Sequence, residues 1–518
     1  MTSIDPRDQT QRPFLPLYGV VSLLAAGFLL YSQTIAFAWD EGFHLLAAQL
    51  IKAGRKPYLD FCFSQTPLNA YWNAGWMWLA GESWRTANAV AAILTVGAVL
   101  LTTDFVLSRF PISGWRRAGA LVVAVLVGLN TTVLEYGTIG QAYGLCLFLI
   151  VAAFRLSVLV PDRTGWVVPA SAGCLACAAA NSSLLTATVA PVLLVWILIH
   201  NRAGSRWIKC AAFMGGGVIA FLPLAWLFAQ DPRAVWFGIF EYNGLYRQVD
   251  WPGATQHNIE VLTYWIDSSQ ALALGLLAAL GALFIAKSDW DRVRRAEFYL
   301  CGWLAAATAA ELCIARPTFQ RYFLFVVPFL AILASAGLYA VTLRTPHPDR
   351  PAWPVLMLTV LTALGLLKSI YERGELYSWR DMENAGRKVN EVTPAEGTLW
   401  ADEHIYFVTR RRPPTGMELA DSHKLELLPA TLAAALHIVP KSQLDRRVKA
   451  GEFDTVATFA DADTIDELGL PKTYAKKASV GDCDVFWDRV ASHAGKSCGP
   501  ERSVTSSDSP TGAPAKKD

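Results

Sequence analysis

Two adjacent carboxylates, Asp40 and Glu41, stand directly after an uncharged apolar run from Leu15 to Ala38. A run of about 20 apolar residues crosses ~30 Å of hydrocarbon, so the pair belongs where a helix leaves the bilayer. A carboxylate at that boundary can meet a substrate whose tail stays in the lipid. His44 follows one helical turn after Asp40, and a lone histidine there reads more simply as a polar residue of the interface than as a catalyst. Nucleotide-handling signals are missing: there is no G-x-x-x-x-G-K-[ST] loop and no Rossmann glycine fingerprint. Two Asp-x-Asp pairs, Asp289-Trp290-Asp291 and Asp461-Ala462-Asp463, fall in a short hairpin and near a helix start, where acids favour the dipole. Neither is assigned a nucleotide or a metal.

The elements that position these acids follow from composition. Of 518 residues, 53% are hydrophobic and 17% charged, with a mean hydropathy of +0.31, which excludes an ordinary soluble enzyme and fits an α-helical polytopic membrane protein. About eleven spans are expected, at 15–38, 84–107, 118–134, 138–158, 165–182, 184–200, 210–229, 269–286, 297–315, 322–343 and 353–371. Basic residues cluster in alternate connections, around Arg116, Arg163, Arg206, Arg294 and Arg350. The positive-inside rule puts those connections in the cytoplasm, together with residues 1–14. An odd number of spans then leaves everything after 371 on the same outer face as Asp40. Ala36-Phe37-Ala38 resembles a signal-peptidase site, but an apolar run of 24 residues exceeds the ~7–15 of a signal sequence, so an uncleaved span is expected.

Six of the nine cysteines lie in or beside apolar runs. Cys174-x-x-Cys177, with its alanine neighbours, reads as tight helix packing rather than half a metal site. Cys483 and Cys498 stand alone in the polar C-terminal part and could pair in an oxidising compartment.

The first outer loop, 39–83, is expected to be structured. Asp40 can cap a helix from Glu41 to Ala53, ended by Gly54 and Pro57, and Lys52, Arg55 and Lys56 would face phosphate headgroups. A second apolar helix, Asn69 to Ala80, carries the aromatic density of a membrane boundary. A second large outer loop, 230–270, is rich in aromatics and long enough to cover a cavity. From 372 to 498 a small α/β domain is expected, with strands at 398–409, 453–459 and 484–487 and a helix at 424–437. Asp402-Glu403-His404 reads as a surface turn, and residues 499–518 as a disordered tail.

Several stretches together resemble the first outer loop of the GT-C membrane glycosyltransferases. They are Trp39-Asp40-Glu41-Gly42, Ala47-Ala48-Gln49-Leu50-Ile51, Gly54-Arg55-Lys56-Pro57-Tyr58-Leu59-Asp60, Thr66-Pro67-Leu68 and Gly81-Glu82-Ser83. Arg321-Tyr322-Phe323-Leu324 with Pro328 resembles a second signature, of the branch with protein O-mannosyltransferases, the lipid A aminoarabinose transferase and Rgt-type galacturonosyltransferases. The likeness implies a GT-C type fold with interfacial helices in the first loop. It also implies sugar transfer from a polyprenyl-phosphate donor to a glycan, lipid or protein acceptor, with the first-loop acid as base.

On that reading Asp40 is the base and Glu41 its helper or an acceptor-positioning group. Lys56, Arg316 and Arg321, outer-face cations beside spans, are candidates for the donor phosphate, which needs cationic partners. Glu135, Gln141, Tyr322 and His44 are supporting candidates, with Gln141 competing with Glu135 for the position where relatives carry a further acid. Glu311, inside an apolar span, reads as bridged to Arg316. The resemblance leaves room for a divalent cation without fixing ligands for one. The expected place is the plasma (inner) membrane, with a lipid-borne donor and no nucleic-acid partner. A transporter or flippase of lipid-linked sugars, or a non-catalytic membrane-anchored binding protein, would share the apolar spans.

Overall fold

The computed structural model describes residues 15–34, 40–251, 253–345, 351–372 and 377–490. Residues 1–14, Ala36-Phe37-Ala38, Trp39, Arg350, Cys498 and the tail 499–518 lie outside these.

Helix α1 (Leu15–Thr34) leads into the first loop, which folds as α2 (Glu41–Lys52) and α3 (Leu68–Ala80). The bundle continues through α4 (Trp84–Arg109), α5 (Arg116–Gly128), α6 (Thr131–Gly137), α7 (Ala142–Leu159), α8 (Val167–Ser182), α9 (Val189–His200) and α10 (Arg206–Gln230). The second large loop holds α11 (Pro232–Trp236), a π-helical turn (Phe237–Glu241), α12 (Tyr242–Asp250) and α13 (Ala254–Asp267). Helices α14 (Ser269–Lys287) and α15 (Arg292–Ile314), a 3-10 turn (Gln320–Phe325), α16 (Val327–Thr342) and α17 (Ala352–Glu372) complete the bundle.

Among the described residues seven helices are long and apolar enough to cross a membrane, or eight if the bent α5–α6 pair is one span. Helix α8, the segment Leu184–His200 and α16 are shorter apolar helices. Every expected span therefore meets an apolar helix, but not all reach crossing length alone. The span expected at 118–134 is broken: α5 and α6 meet at 58°. Asn130 makes the break, its Oδ1 accepting from Val133 N at 3.2 Å to cap α6.

Close packing uses small residues. A Cβ on Gly173 of α8 would lie 1.9 Å from Phe213 O of α10, and one on Gly216 1.9 Å from Ala170 O. Cys174 and Cys177 lie on this seam, as their packing role requires. At one end of the bundle the basic connections converge. Buried Glu297 binds Arg109 at 3.1 Å and Arg294 at 2.8 Å, and Arg202 holds Asp162 through two contacts of 2.7 Å.

The opposite end carries both large loops and the C-terminal region. That region comprises α18 (Trp379–Val392), β1 (Leu399–Trp400), α19 (Glu403–Thr409), α20 (Ala430–Ala435), α21 (Lys441–Lys449), β2 (Thr455–Thr458), α22 (Ala462–Glu467), α23 (Leu470–Thr473), β3 (Tyr474–Val480) and β4 (Cys483–Arg489). The sheet runs β1-β2-β4-β3, parallel between β1 and β2 and antiparallel elsewhere.

Two expectations need correction. The strand expected over 398–409 lasts two residues, because Asp402 caps α19, its side chain accepting from His404 N. The helix expected over 424–437 shrinks to α20, since Pro429 disfavours helical backbone at the residue before it. Cys483 is buried on β4. The C-terminal region shares its core with the first loop: Leu45 and Phe61 belong to one buried cluster with Trp379, Met382 and Tyr406.

Candidate active site

Asp40 stands at the position that would cap α2, yet its side chain makes no capping hydrogen bond. Its Oδ2 instead accepts from Arg321 Nη2 at 3.2 Å. Arg321 comes from the 3-10 turn before α16, and its Nε donates to the Tyr143 hydroxyl on α7 at 3.1 Å. The guanidinium lies 4.1 Å from the Phe319 ring centre and 5.5 Å from that of Tyr322. Gln141 stands on the same cavity wall as Asp40 and, like Arg321, favours its ionised form. Burial raises the Asp40 pKa above its ordinary value while Arg321 pulls against it. The result is a carboxylate more basic than a free aspartate and still held by a cation.

Glu41 faces the other way. It is fully buried, with Oε1 accepting from Gly140 N at 2.6 Å and Oε2 from Trp379 Nε1 at 2.8 Å. Asn73 Nδ2 donates to Gly140 O at 2.7 Å, and Gly140 N is also 3.0 Å from Asn88 Oδ1. A Cβ at Gly140 would sit 2.6 Å from Glu41 Oε1, so a larger residue there would have to displace the carboxylate. The Glu41 carboxylate thus joins the first loop, the turn before α7 and the C-terminal region at one point. Burial pushes its pKa up to about 7. It lines neither of the cavities described next.

Those cavities, of about 450 and 520 Å³, meet at a common wall that includes Asp40, Ser64, Asn243, Arg247, Arg321 and Tyr322. The first extends past Gln141 and His44 to Leu184, Phe240 and Ile314. The second extends past Tyr246 and Tyr377 to Asp402, Glu403, His404 and Asp421.

Of the residues singled out in the sequence, Asp40, Arg321, Tyr322, Gln141 and His44 come together here. Burial drives the His44 pKa down to about 3, and its Nδ1 lies 3.3 Å from Asn69 Nδ2, so it is a neutral wall residue. The others are elsewhere. Lys56 Nζ donates to Gln230 Oε1 at 2.8 Å and lies 5.1 Å from the Trp226 ring centre, away from both cavities. Arg316 is exposed and lines neither. Glu135 is buried in α6 and lines neither, whereas Gln141 does. Lys52 and Arg55 pair with Glu82 at 2.9 Å and Glu418 at 3.2 Å instead of facing headgroups. Glu311 accepts from Thr188 Oγ1 at 2.7 Å and Thr188 N at 3.1 Å, which replaces the bridge expected to Arg316.

Three groups escaped the sequence reading. Arg247 of α12 lines both cavities, makes no ion pair among the described residues, and burial lowers its pKa. A desolvated guanidinium without an anion is a ready partner for one. The only signal for it was its place in an aromatic loop. Tyr143 gave none. Asp402-Glu403-His404 is a cavity wall rather than a surface turn: Glu403 is buried, and the His404 ring lies where a Cβ on Gly42 would be, 2.5 Å from its Cε1.

Among the described residues no group of three or more His, Cys, Asp or Glu side chains could hold a metal ion. The Arg321 guanidinium already stands against Asp40, where a divalent cation would have to bind. The residues here do not fit such an ion.

No family model and no curated protein sequence matches the chain. Solved structures do. ArnT from Cupriavidus metallidurans bound to undecaprenyl phosphate aligns with a TM-score of 0.64 at 14% identity, over 94% of this chain and 100% of that one. Its apo form gives 0.63 at 15% identity, over 93% and 99%. The oligosaccharyltransferase of Archaeoglobus fulgidus, tethered to an acceptor peptide, aligns at 0.49 and 12% identity, over 85% of this chain and 69% of that one. The chain is a multi-pass membrane protein with the fold of ArnT from Cupriavidus metallidurans.

Proposed function

We propose that the protein moves a sugar from a polyprenyl-phosphate donor to an acceptor hydroxyl, with Asp40 as general base. The observation that carries this reading is the place of Asp40 on the wall shared by two cavities, beside Arg321 and Arg247. The first cavity suits a lipid-borne donor. Its rim includes Leu184, Phe240 and Ile314, which are 36%, 50% and 78% exposed, and its polar side holds both arginines. An apolar rim accepts an isoprenoid tail while the guanidinium groups neutralise a phosphate.

In the transfer step the acceptor oxygen bonds to the anomeric carbon and its proton passes to Asp40. The bond from that carbon to the phosphate oxygen breaks, leaving its electron pair on the phosphate opposite Arg321 and Arg247. Attack from the face opposite the leaving group inverts the anomeric configuration. The products are the glycosylated acceptor and free polyprenyl phosphate. Undecaprenyl phosphate bound to a protein of the same fold supports a donor of this class. Glu41 holds the geometry by fixing Gly140, next to Gln141, without touching substrate.

The convergence of the basic connections at one end supports an extracytoplasmic site, with the N-terminus in the cytoplasm of a plasma membrane. Purified protein incubated with a radiolabelled lipid-phosphate sugar tests the reading. Transfer releases free lipid phosphate, whereas a transporter or a binding protein returns the donor intact, and that result refutes it.

A further inference from the structure

At the end of the bundle remote from Asp40, several acids are already bound within the chain. Glu297 takes Arg109 and Arg294, Asp162 takes Arg202, and Asp104 takes Arg155. Asp291 caps α15, its Oδ1 accepting from Val293 N and from Arg294 N, each at 2.9 Å. Two cations of the first turn of α15 are left over. Arg292 and Arg295 make no ion pair among the described residues, with Asp289 of the preceding hairpin or with any other acid. Three residues apart on a helix, they share one face.

That face closes one end of a groove of about 1230 Å³ between α9 and α15. Glu311, near the end of α15, binds Thr188, just before α9, so the two helices run antiparallel and His200 comes alongside Arg292. Away from these three polar residues the walls are apolar and aromatic. Trp196 lies within them, and Val195, Ile199 and Trp303 stand more than half exposed, which on a membrane bundle means exposed to lipid. From Arg292 to Ala306 the groove follows α15 for about 21 Å at 1.5 Å per residue. The hydrocarbon of one leaflet is about 15 Å deep, half of ~30 Å, so the arginines reach headgroup level while the groove ends near mid-bilayer. Acyl tails end there too, whereas a polyprenyl tail runs beyond it. A zwitterionic headgroup would bring its own cation against the arginines. An anionic one brings the phosphate alone.

We propose that the groove between α9 and α15 binds an anionic phospholipid of the leaflet remote from Asp40, with its phosphate on Arg292 and Arg295 and its acyl tails against Trp196 and Trp303. The lipid bridges the two helices that Glu311 and Thr188 join at the other end, where Glu311 and Ile314 line the first cavity. It therefore steadies one wall of that cavity from a distance. No sugar donor enters the argument, so the site stands or falls independently of the transferase reading.

Native mass spectrometry on the purified full-length protein tests the assignment, in detergent micelles doped with phosphatidylglycerol or with phosphatidylcholine of the same acyl chains. The expected result is that phosphatidylglycerol is held about 30-fold more tightly, from roughly fivefold per arginine. It should also raise the melting temperature where phosphatidylcholine does not. The double variant Arg292→Gln with Arg295→Gln should lose both differences, and Arg316→Gln, outside the groove, should keep them. Phosphatidylglycerol with a photoreactive diazirine on its acyl chain should label peptides of α9 and α15. Equal retention of the two lipids, an undiminished preference in the double variant, or labelling confined to other helices overturns the proposal. Displacement of phosphatidylglycerol by equimolar undecaprenyl phosphate overturns it as well, since the groove would then serve a polyprenyl lipid. A dimer in micelles whose contact excludes the label from α9 and α15 does the same, by placing a second copy of the chain there.

Discussion

Replacing Trp379 with phenylalanine removes one N–H and keeps an aromatic ring stacked against Trp84, whose centre lies 5.6 Å away. The lost bond is the 2.8 Å contact from Trp379 Nε1 to Glu41 Oε2, deep in the core shared by the first loop and the C-terminal region. A hydrogen bond to a charged group contributes roughly 1.5–3 kcal/mol, and at pH 8 Glu41, with a pKa of about 7, is mostly ionised. Trp379→Phe should therefore cost about 2 kcal/mol at that pH. At pH 5, where the carboxyl is protonated, it should cost less. Glu41→Gln keeps one oxygen for Gly140 N but turns an amide N–H toward the Trp379 N–H, so it should cost about as much. In the double variant that conflict disappears, and the two changes should couple by about 1–3 kcal/mol. Unfolding of the four proteins in mixed micelles, by near-ultraviolet circular dichroism at both pH values, measures this. Additivity within about 0.5 kcal/mol would refute the claim that Glu41 and Trp379 act as one junction.

Three other outcomes follow from the same geometry. The Glu41 pKa is raised from 4.5 to about 7, so the folded state binds the extra proton. Stability should fall as pH rises through that window by about 3 kcal/mol, a slope that Glu41→Gln flattens. Gly42→Ala places a methyl 2.5 Å from the His404 ring and should destabilise by about 1–3 kcal/mol, visible as a lowered melting temperature with catalysis impaired. Activity requires ionised Asp40, so its acid limb should lie above the pH of an ordinary aspartate. Arg321→Gln should move that limb further up, because the cation holds the pKa down, and lower kcat by about 10²–10³.

What the sequence disclosed was local. Apolar runs long enough for helices are read from composition alone, and each of the expected spans lies on a real apolar helix. Asp40 and Arg321 were both recognisable by type and position, but their contact spans 281 residues and has no local trace. The same holds for Glu41, whose partners Gly140 and Trp379 are 99 and 338 residues away. Lys52, Arg55 and Lys56 looked like headgroup contacts because an unpaired cation beside an apolar helix is indistinguishable from one whose partner is distant. Asp402-Glu403-His404 resembled a turn because the cap of a short helix and a surface turn share the same residue types.

Asp40→Asn is the most direct test of the central claim, since it keeps the shape of the side chain and a hydrogen-bond acceptor for Arg321 while removing the base. Single-turnover transfer should be measured with a radiolabelled lipid-phosphate sugar and a competent acceptor. The account predicts donor binding within about threefold of wild type and a transfer rate lowered by about 10²–10⁴. An asparagine variant that transfers at the wild-type rate would contradict it.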